Sequence, residues 1–93
     1  MRKILKYPVT SDDCLVLMPD RATILKVGVQ GIDINLWALV DDSEPPVRRR
    51  FLSVNTGTPV QDQVTKQWYL DTVTVDDIVW HIFELPTRYR YAE

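Results

Sequence analysis

Residues 34–40, Ile-Asn-Leu-Trp-Ala-Leu-Val, constrain the fold more than any other stretch of the chain. Successive side chains of a strand point to opposite faces, so Ile34, Leu36, Ala38 and Val40 share one side while Asn35, Trp37 and Leu39 share the other. Both sides are largely apolar. A strand of this kind needs cover on two faces, which makes it a central strand or one buried by a second copy of the chain. Trp80-His81-Ile82-Phe83 repeats the two-sided character later in the sequence.

Extended segments separated by turn signals account for the remainder. Residues 3–9 favour a strand but include Pro8, which lacks the donor a central strand must supply, so they form an edge strand or stop at Tyr7. Ser11-Asp12-Asp13 reads as a turn, and residues 14–18 as a strand too short to be a helix of usual length. Between residues 22 and 30, alternation assigns Thr23, Leu25, Val27 and Val29 to the core face. Gly31-Ile32 permits a tight reversal because glycine accepts the positive φ of hairpin turns, so residues 22–30 should pair antiparallel with 33–41. The polar, proline-interrupted stretch 41–46 is an exposed connection.

Residues 47–55 return as a strand, Thr56-Gly57-Thr58-Pro59 breaks it, and residues 60–67 fit either a loop or one helical turn. Residues 68–75 and 78–85 flank Asp76-Asp77 as a second hairpin. Val75, Ile78, Val79 and Ile82 also sit at helical spacing, but the density of β-branched and aromatic residues favours strands. The expected fold is all-β: a small antiparallel sandwich or barrel of about seven short strands, one domain over residues 1–86, with a loosely held tail at 87–93.

A chain of 93 residues has room for one domain. It removes only about two-thirds of its unfolded surface from water on folding, so a homo-oligomeric interface is an expected supplement. Eleven Lys and Arg against 13 Asp and Glu give a net charge of -2, whereas duplex-DNA binders are usually basic domains. The single cysteine, Cys14, closes no intrachain disulfide, which fits reducing cytosol. No apolar run approaches the roughly 20 residues needed to span a bilayer, and Met1-Arg2-Lys3 leads into a strand-like segment, so a soluble, unsecreted protein is expected.

Few residues invite chemistry. His81 is the only histidine, and between Trp80 and Ile82 it reads first as a hydrogen-bonded structural residue. A Cys14–His81 nucleophile pair is formally available, but a thiol inside an apolar run is ordinarily inert. One His and one Cys cannot furnish a four-ligand zinc site. The pairs Asp12-Asp13, Asp41-Asp42 and Asp76-Asp77 all fall at expected turns, where aspartate is favoured without any catalytic role. Three glycines spell neither a P-loop nor a dinucleotide fingerprint. No catalytic residue, metal or cofactor is expected.

The arginine triplet is the most suggestive feature. A strand places Arg48 and Arg50 on one face and Arg49 on the other, and the first two are positioned to grip a phosphate or carboxylate. The competing reading is a charged edge that resists aggregation and balances the acidic loop at 41–44. Trp37, Trp68, Tyr69 and Trp80 are able to stack a base, although aromatic residues in so short a chain are needed in its core.

The blocks Leu17-Met18-Pro19 with Ala22-Thr23-Ile24-Leu25, then Leu36-Trp37-Ala38-Leu39-Val40-Asp41, Arg50-Phe51, Thr56-Gly57-Thr58-Pro59 and Val79-Trp80-His81-Ile82-Phe83-Glu84 resemble a family of small, functionally unassigned proteins common in bacteriophage genomes. The likeness covers most of residues 3–85. In that family the Thr-Gly loop usually carries histidine before the proline. Thr58 stands there in this chain, which weakens any acid–base or metal role for the loop. The resemblance implies a phage or prophage accessory protein in the cytoplasm of the infected bacterium. The expected role is a non-enzymatic binding module that inhibits a host defence factor or sequesters an anionic or nucleotide ligand, with a virion structural or assembly role as the alternative. Arg48, Arg49, Arg50, Trp37, Thr56, Thr58 and His81 are the residues expected to meet a ligand or partner.

Overall fold

The computed structural model describes residues 1–86, and its strands follow the hydrophobic alternation closely. They are β1 (Arg2–Val9), β2 (Asp13–Pro19), β3 (Thr23–Gln30), β4 (Asp33–Asp41), β5 (Pro46–Asn55), β6 (Tyr69–Val75) and β7 (Ile78–Leu85). They sort into a three-stranded sheet ordered β1-β4-β3 and a four-stranded sheet ordered β2-β5-β7-β6, with every pairing antiparallel. The tail expected at 87–93 lies outside the described residues.

The two sheets share one core. Leu36, Ala38 and Val40 of β4, Val27 of β3, Met18 of β2, Phe51 of β5 and Ile82 of β7 are all at most 2% exposed. These residues come from both layers, so neither sheet buries its apolar face without the other.

β4 is the middle strand of its sheet, as its composition requires, but the second face is not covered. Trp37 and Leu39 are only partly buried, and beside them Ile4 is 58% and Leu25 51% exposed. The physical reason is the two-layer stacking: a three-stranded sheet packed on one partner layer keeps its other face toward solvent.

β3 also departs from strict alternation. A bulge between Ile24 and Lys26 inserts Leu25 as an extra residue and reverses the phase, so Ala22 and Ile24 face the core and Leu25 points away. Thr23 and Leu25 are therefore not core residues, whereas Val27 is.

Turns form where the sequence places them. Gly31-Ile32 closes the β3–β4 hairpin with Gly31 at φ 63°, and Asp76-Asp77 closes β6–β7 with φ 48° and 66°. Two successive positive-φ residues are the mark of the type I′ turn, which matches the twist of the flanking strands. Pro8 does not end β1. It pairs opposite Asn35 on an edge strand, where a missing donor is tolerated. The ambiguous stretch before β6 is mostly loop and ends in a short 3₁₀ turn, Lys66–Trp68, so Trp68 belongs to that turn and the strand begins at Tyr69.

Candidate functional site

The arginine triplet divides as the pleat demands. Arg49 points between the layers, where Nε and Nη2 donate to Glu84 Oε2 and Oε1 at 2.5 and 2.7 Å and Nη1 donates to the Ala22 carbonyl. With 19% and 25% of their side chains exposed, Arg49 and Glu84 form a partly buried fork that ties β5 and β7 to the segment entering β3. Arg50 lies on the outer face, and its Nε and Nη2 donate to both oxygens of Asp13 at 2.9 and 2.6 Å. Arg48 is exposed on the same face, opposite Leu17. Of the three, Arg49 holds the scaffold together, Arg50 pins the start of β2, and Arg48 presents its guanidinium to solvent.

The acidic loop is not balanced by these arginines. Asp41 and Asp42 instead accept from the N-terminal ammonium at 3.3 and 2.8 Å, and Lys3 lies 3.2 Å from Asp42. The Ser43 hydroxyl and N–H, joined by that ammonium, pull the Asp41 pKa down from 3.8 to about 2. The ammonium and then Lys3 lower that of Asp42.

His81 occupies the outer face of β7 in a chain of hydroxyls. Its Nε2 meets Thr56 Oγ1 at 2.7 Å, its Nδ1 meets Thr72 Oγ1 at 3.0 Å, and Thr72 Oγ1 meets Tyr69 Oη at 2.6 Å. Both ring nitrogens are thus engaged. The hydroxyls can rotate to serve either tautomer, and among the described residues both ring nitrogens meet threonine hydroxyls instead of the carboxylate a triad would use to orient the ring. Cys14 is buried on the opposite face of the same sheet, so sulfur and imidazole do not meet. Thr58 Oγ1 donates to Asn55 Oδ1, which braces the Thr-Gly loop around Gly57 at φ 94°.

The seven residues singled out by the sequence therefore do not form one site. Arg48, Arg50 and His81 share the outer face of the four-stranded sheet with Thr56 at its end, Thr58 braces the adjoining loop, Arg49 is interior, and Trp37 lies on the opposite side of the molecule. Sequence reasoning passed over the apolar surface beside the arginines. On β2, Leu15 and Leu17 are 61% and 58% exposed, and the surface continues through Leu52 and Phe83 to Tyr69, whose ring meets Phe83 edge-on at 5.8 Å. The signal was available, since residues 14–18 are apolar at every position and a strand in a two-layer fold buries only every second one.

A second feature missed is a cleft of about 530 Å³ at the end of the sandwich, lined by Val9, Ile34, Val75, Ile78 and Trp80. A smaller recess adjoins Trp80 and Ile34, and the buried Ser53 Oγ that helps line it has no hydrogen-bond partner among the described residues. Among the described residues, no three His, Cys, Asp or Glu side chains converge, and no helix is long and apolar enough to cross a membrane.

No curated protein and no solved structure matches this chain. A family model described as Domain of unknown function (DUF7352) matches residues 1–92. With that match running over nearly the whole sequence, from β1 past the end of β7, the chain belongs to the DUF7352 family.

Proposed function

We propose that the protein is a non-enzymatic binding module of phage or prophage origin that acts in the bacterial cytoplasm by occupying a host protein. The observation that carries this reading is the β2 edge of the four-stranded sheet's outer face, which stays in solvent although Val54 and Leu85 farther across that face are buried. Leu15 and Leu17 project from an edge strand into solvent beside Leu52, Phe83 and Tyr69, with Arg48 at the margin. Apolar edge strands are an aggregation hazard unless something covers them, and contiguous apolar patches with a polar rim are typical of protein interfaces. The partner that fits presents an apolar surface with a carboxylate placed to meet Arg48.

The test is affinity capture from a bacterial lysate with the native protein and with a Leu15→Asp, Leu17→Asp variant, each first weighed in solution by light scattering. The expected result is a defined host protein retained by the native chain and lost from the variant. Equal capture by both, or none by either, overturns the assignment. A native dimer that the variant reduces to a monomer would assign the face to a second copy of the chain instead.

A further inference from the structure

On the far side of the molecule, the outer face of the three-stranded sheet carries a different pattern. Lys6 of β1, Trp37 of β4 and Lys26 of β3 stand in one register row, so the tryptophan is flanked by a lysine on each neighbouring strand. Adjacent strands lie about 4.8 Å apart, which separates the two lysine backbones by about 10 Å across β4. Lys6 Nζ donates to Gln30 Oε1 at 2.8 Å, a neutral acceptor, with no carboxylate paired to it among the described residues, and the side chain passes diagonally over β4 above the buried Asn35 to reach β3. Arg2 extends the row of cations along β1, two positions beyond Ile4.

The ring itself is seated on backbone. Gly28 lies diagonal to Trp37, and a Cβ there would stand 3.1 Å from Trp37 Cζ3 and 3.3 Å from Lys26 Cε, so glycine is what lets the indole settle onto β3. Beside the ring is a shallow depression of about 490 Å³ edged by Ile4, Leu25 and Gln30. The carboxylates on this face stand at its ends: Asp33 at the start of β4, and Asp41, which is already engaged by the N-terminal ammonium and Ser43.

We propose that this face binds single-stranded nucleic acid, with one unpaired base stacked on Trp37 and the flanking phosphates held by Lys6 and Lys26. A stacked base within a strand has a phosphate on each side, and two cations stand within reach of the ring, Lys6 bonded across β4 to Gln30 and Lys26 beside Gly28, whereas a mononucleotide carries its phosphates on one side only. Aromatic platforms between cations are sequence-tolerant, because every base offers a π-face. A flat sheet face with a handful of cations also suits a single strand better than a duplex, whose bases are already stacked. This site is separate from the leucine face of the four-stranded sheet, and the two assignments stand or fall independently.

The test is fluorescence anisotropy of a labelled oligothymidylate of about 15 nucleotides, within the span that one small β-domain covers. Binding is expected to weaken with salt at a log–log slope of about −2, for three phosphates neutralised on a single strand. Trp37→Ala should weaken binding ~10-fold or more while Trp37→Phe retains most of it, and Lys6→Ala or Lys26→Ala should each lower the slope by ~0.7. A Lys6→Glu, Lys26→Glu variant should abolish binding with its circular dichroism spectrum unchanged, which keeps the test decisive should Trp37→Ala misfold. The Leu15→Asp, Leu17→Asp variant should bind the oligonucleotide as the native protein does. Absence of binding at low salt, unchanged affinity in Trp37→Ala, or thymidine monophosphate competing as well as the oligonucleotide would each overturn the proposal.

Discussion

The two outer faces of this sandwich have similar ingredients arranged differently. Each leaves large apolar side chains in solvent, Leu15 and Leu17 on one side and Ile4 and Leu25 on the other. On the four-stranded side, Arg50 is bound by both oxygens of Asp13 and His81 is tied to two threonines, so the surface between them is mostly hydrocarbon. On the three-stranded side, Lys6 and Lys26 share a register row with the indole, and among the described residues neither is paired with a carboxylate. The faces differ in where their solvent-facing cations stand: Arg48 lies at the margin of the leucine face, whereas Lys6 and Lys26 share a register row with the indole. On the proposed reading, the first arrangement suits an apolar protein surface and the second an anionic strand.

That contrast holds only if the outer faces contribute little to folding and the interior contributes most of it. Phe51→Ala, at a fully buried position shared by both layers, should cost about 3–5 kcal/mol in chemical denaturation, while Leu17→Ala should stay within about 0.5 kcal/mol. A large loss from Leu17→Ala would mean that its face is structural. The triplet gives a finer scale. Arg49→Ala leaves the Glu84 carboxylate partly buried and unpaired and should cost about 2–3 kcal/mol, Arg50→Ala about 1 kcal/mol, and Arg48→Ala close to nothing, all read from denaturant midpoints. Equal values across the three would remove the distinction between interior and surface arginines.

Turn chemistry allows a stabilising change. Asp77→Gly relieves a non-glycine residue held at φ 66° and should raise stability by about 1 kcal/mol without touching either face. The smallest effect is in the β4–β5 loop. The Asp41 pKa is lower in the folded chain than its ordinary 3.8, so its contribution is present above that value and is lost as pH falls toward about 2. The N-terminal ammonium is shifted upward from 8.0, chiefly by Asp42, so its share is present below pH 8 and is lost as pH rises through the shifted value. Melting temperatures measured against pH should show both shoulders, and Asp41→Asn should flatten the acidic one.

Alternation, turn residues and the proline on β1 were enough to read nearly every strand, both hairpins and the outward split of Arg48 and Arg50 from Arg49. These features depend on local geometry, which sequence records directly. The bulge at Leu25 was not legible, because an extra residue in a strand declares itself only against the partner it fails to pair with. Nor was the separation of Trp37 from His81. Both lie in similar apolar strands, and only the assignment of those strands to different sheets turns them to opposite sides. The carboxylate partners of Arg49 and Arg50 lie 35 and 37 residues away, beyond the reach of any local pattern.

The most direct test crosses the two faces in one experiment: the Trp37→Ala and Leu15→Asp, Leu17→Asp variants, each assayed against both the captured host protein and the labelled oligonucleotide. Segregated losses are predicted, with the tryptophan variant failing only on the oligonucleotide and the leucine variant failing only on the protein. If both variants lost both partners, or neither lost any, the division of labour between the two sides of the sandwich would be contradicted.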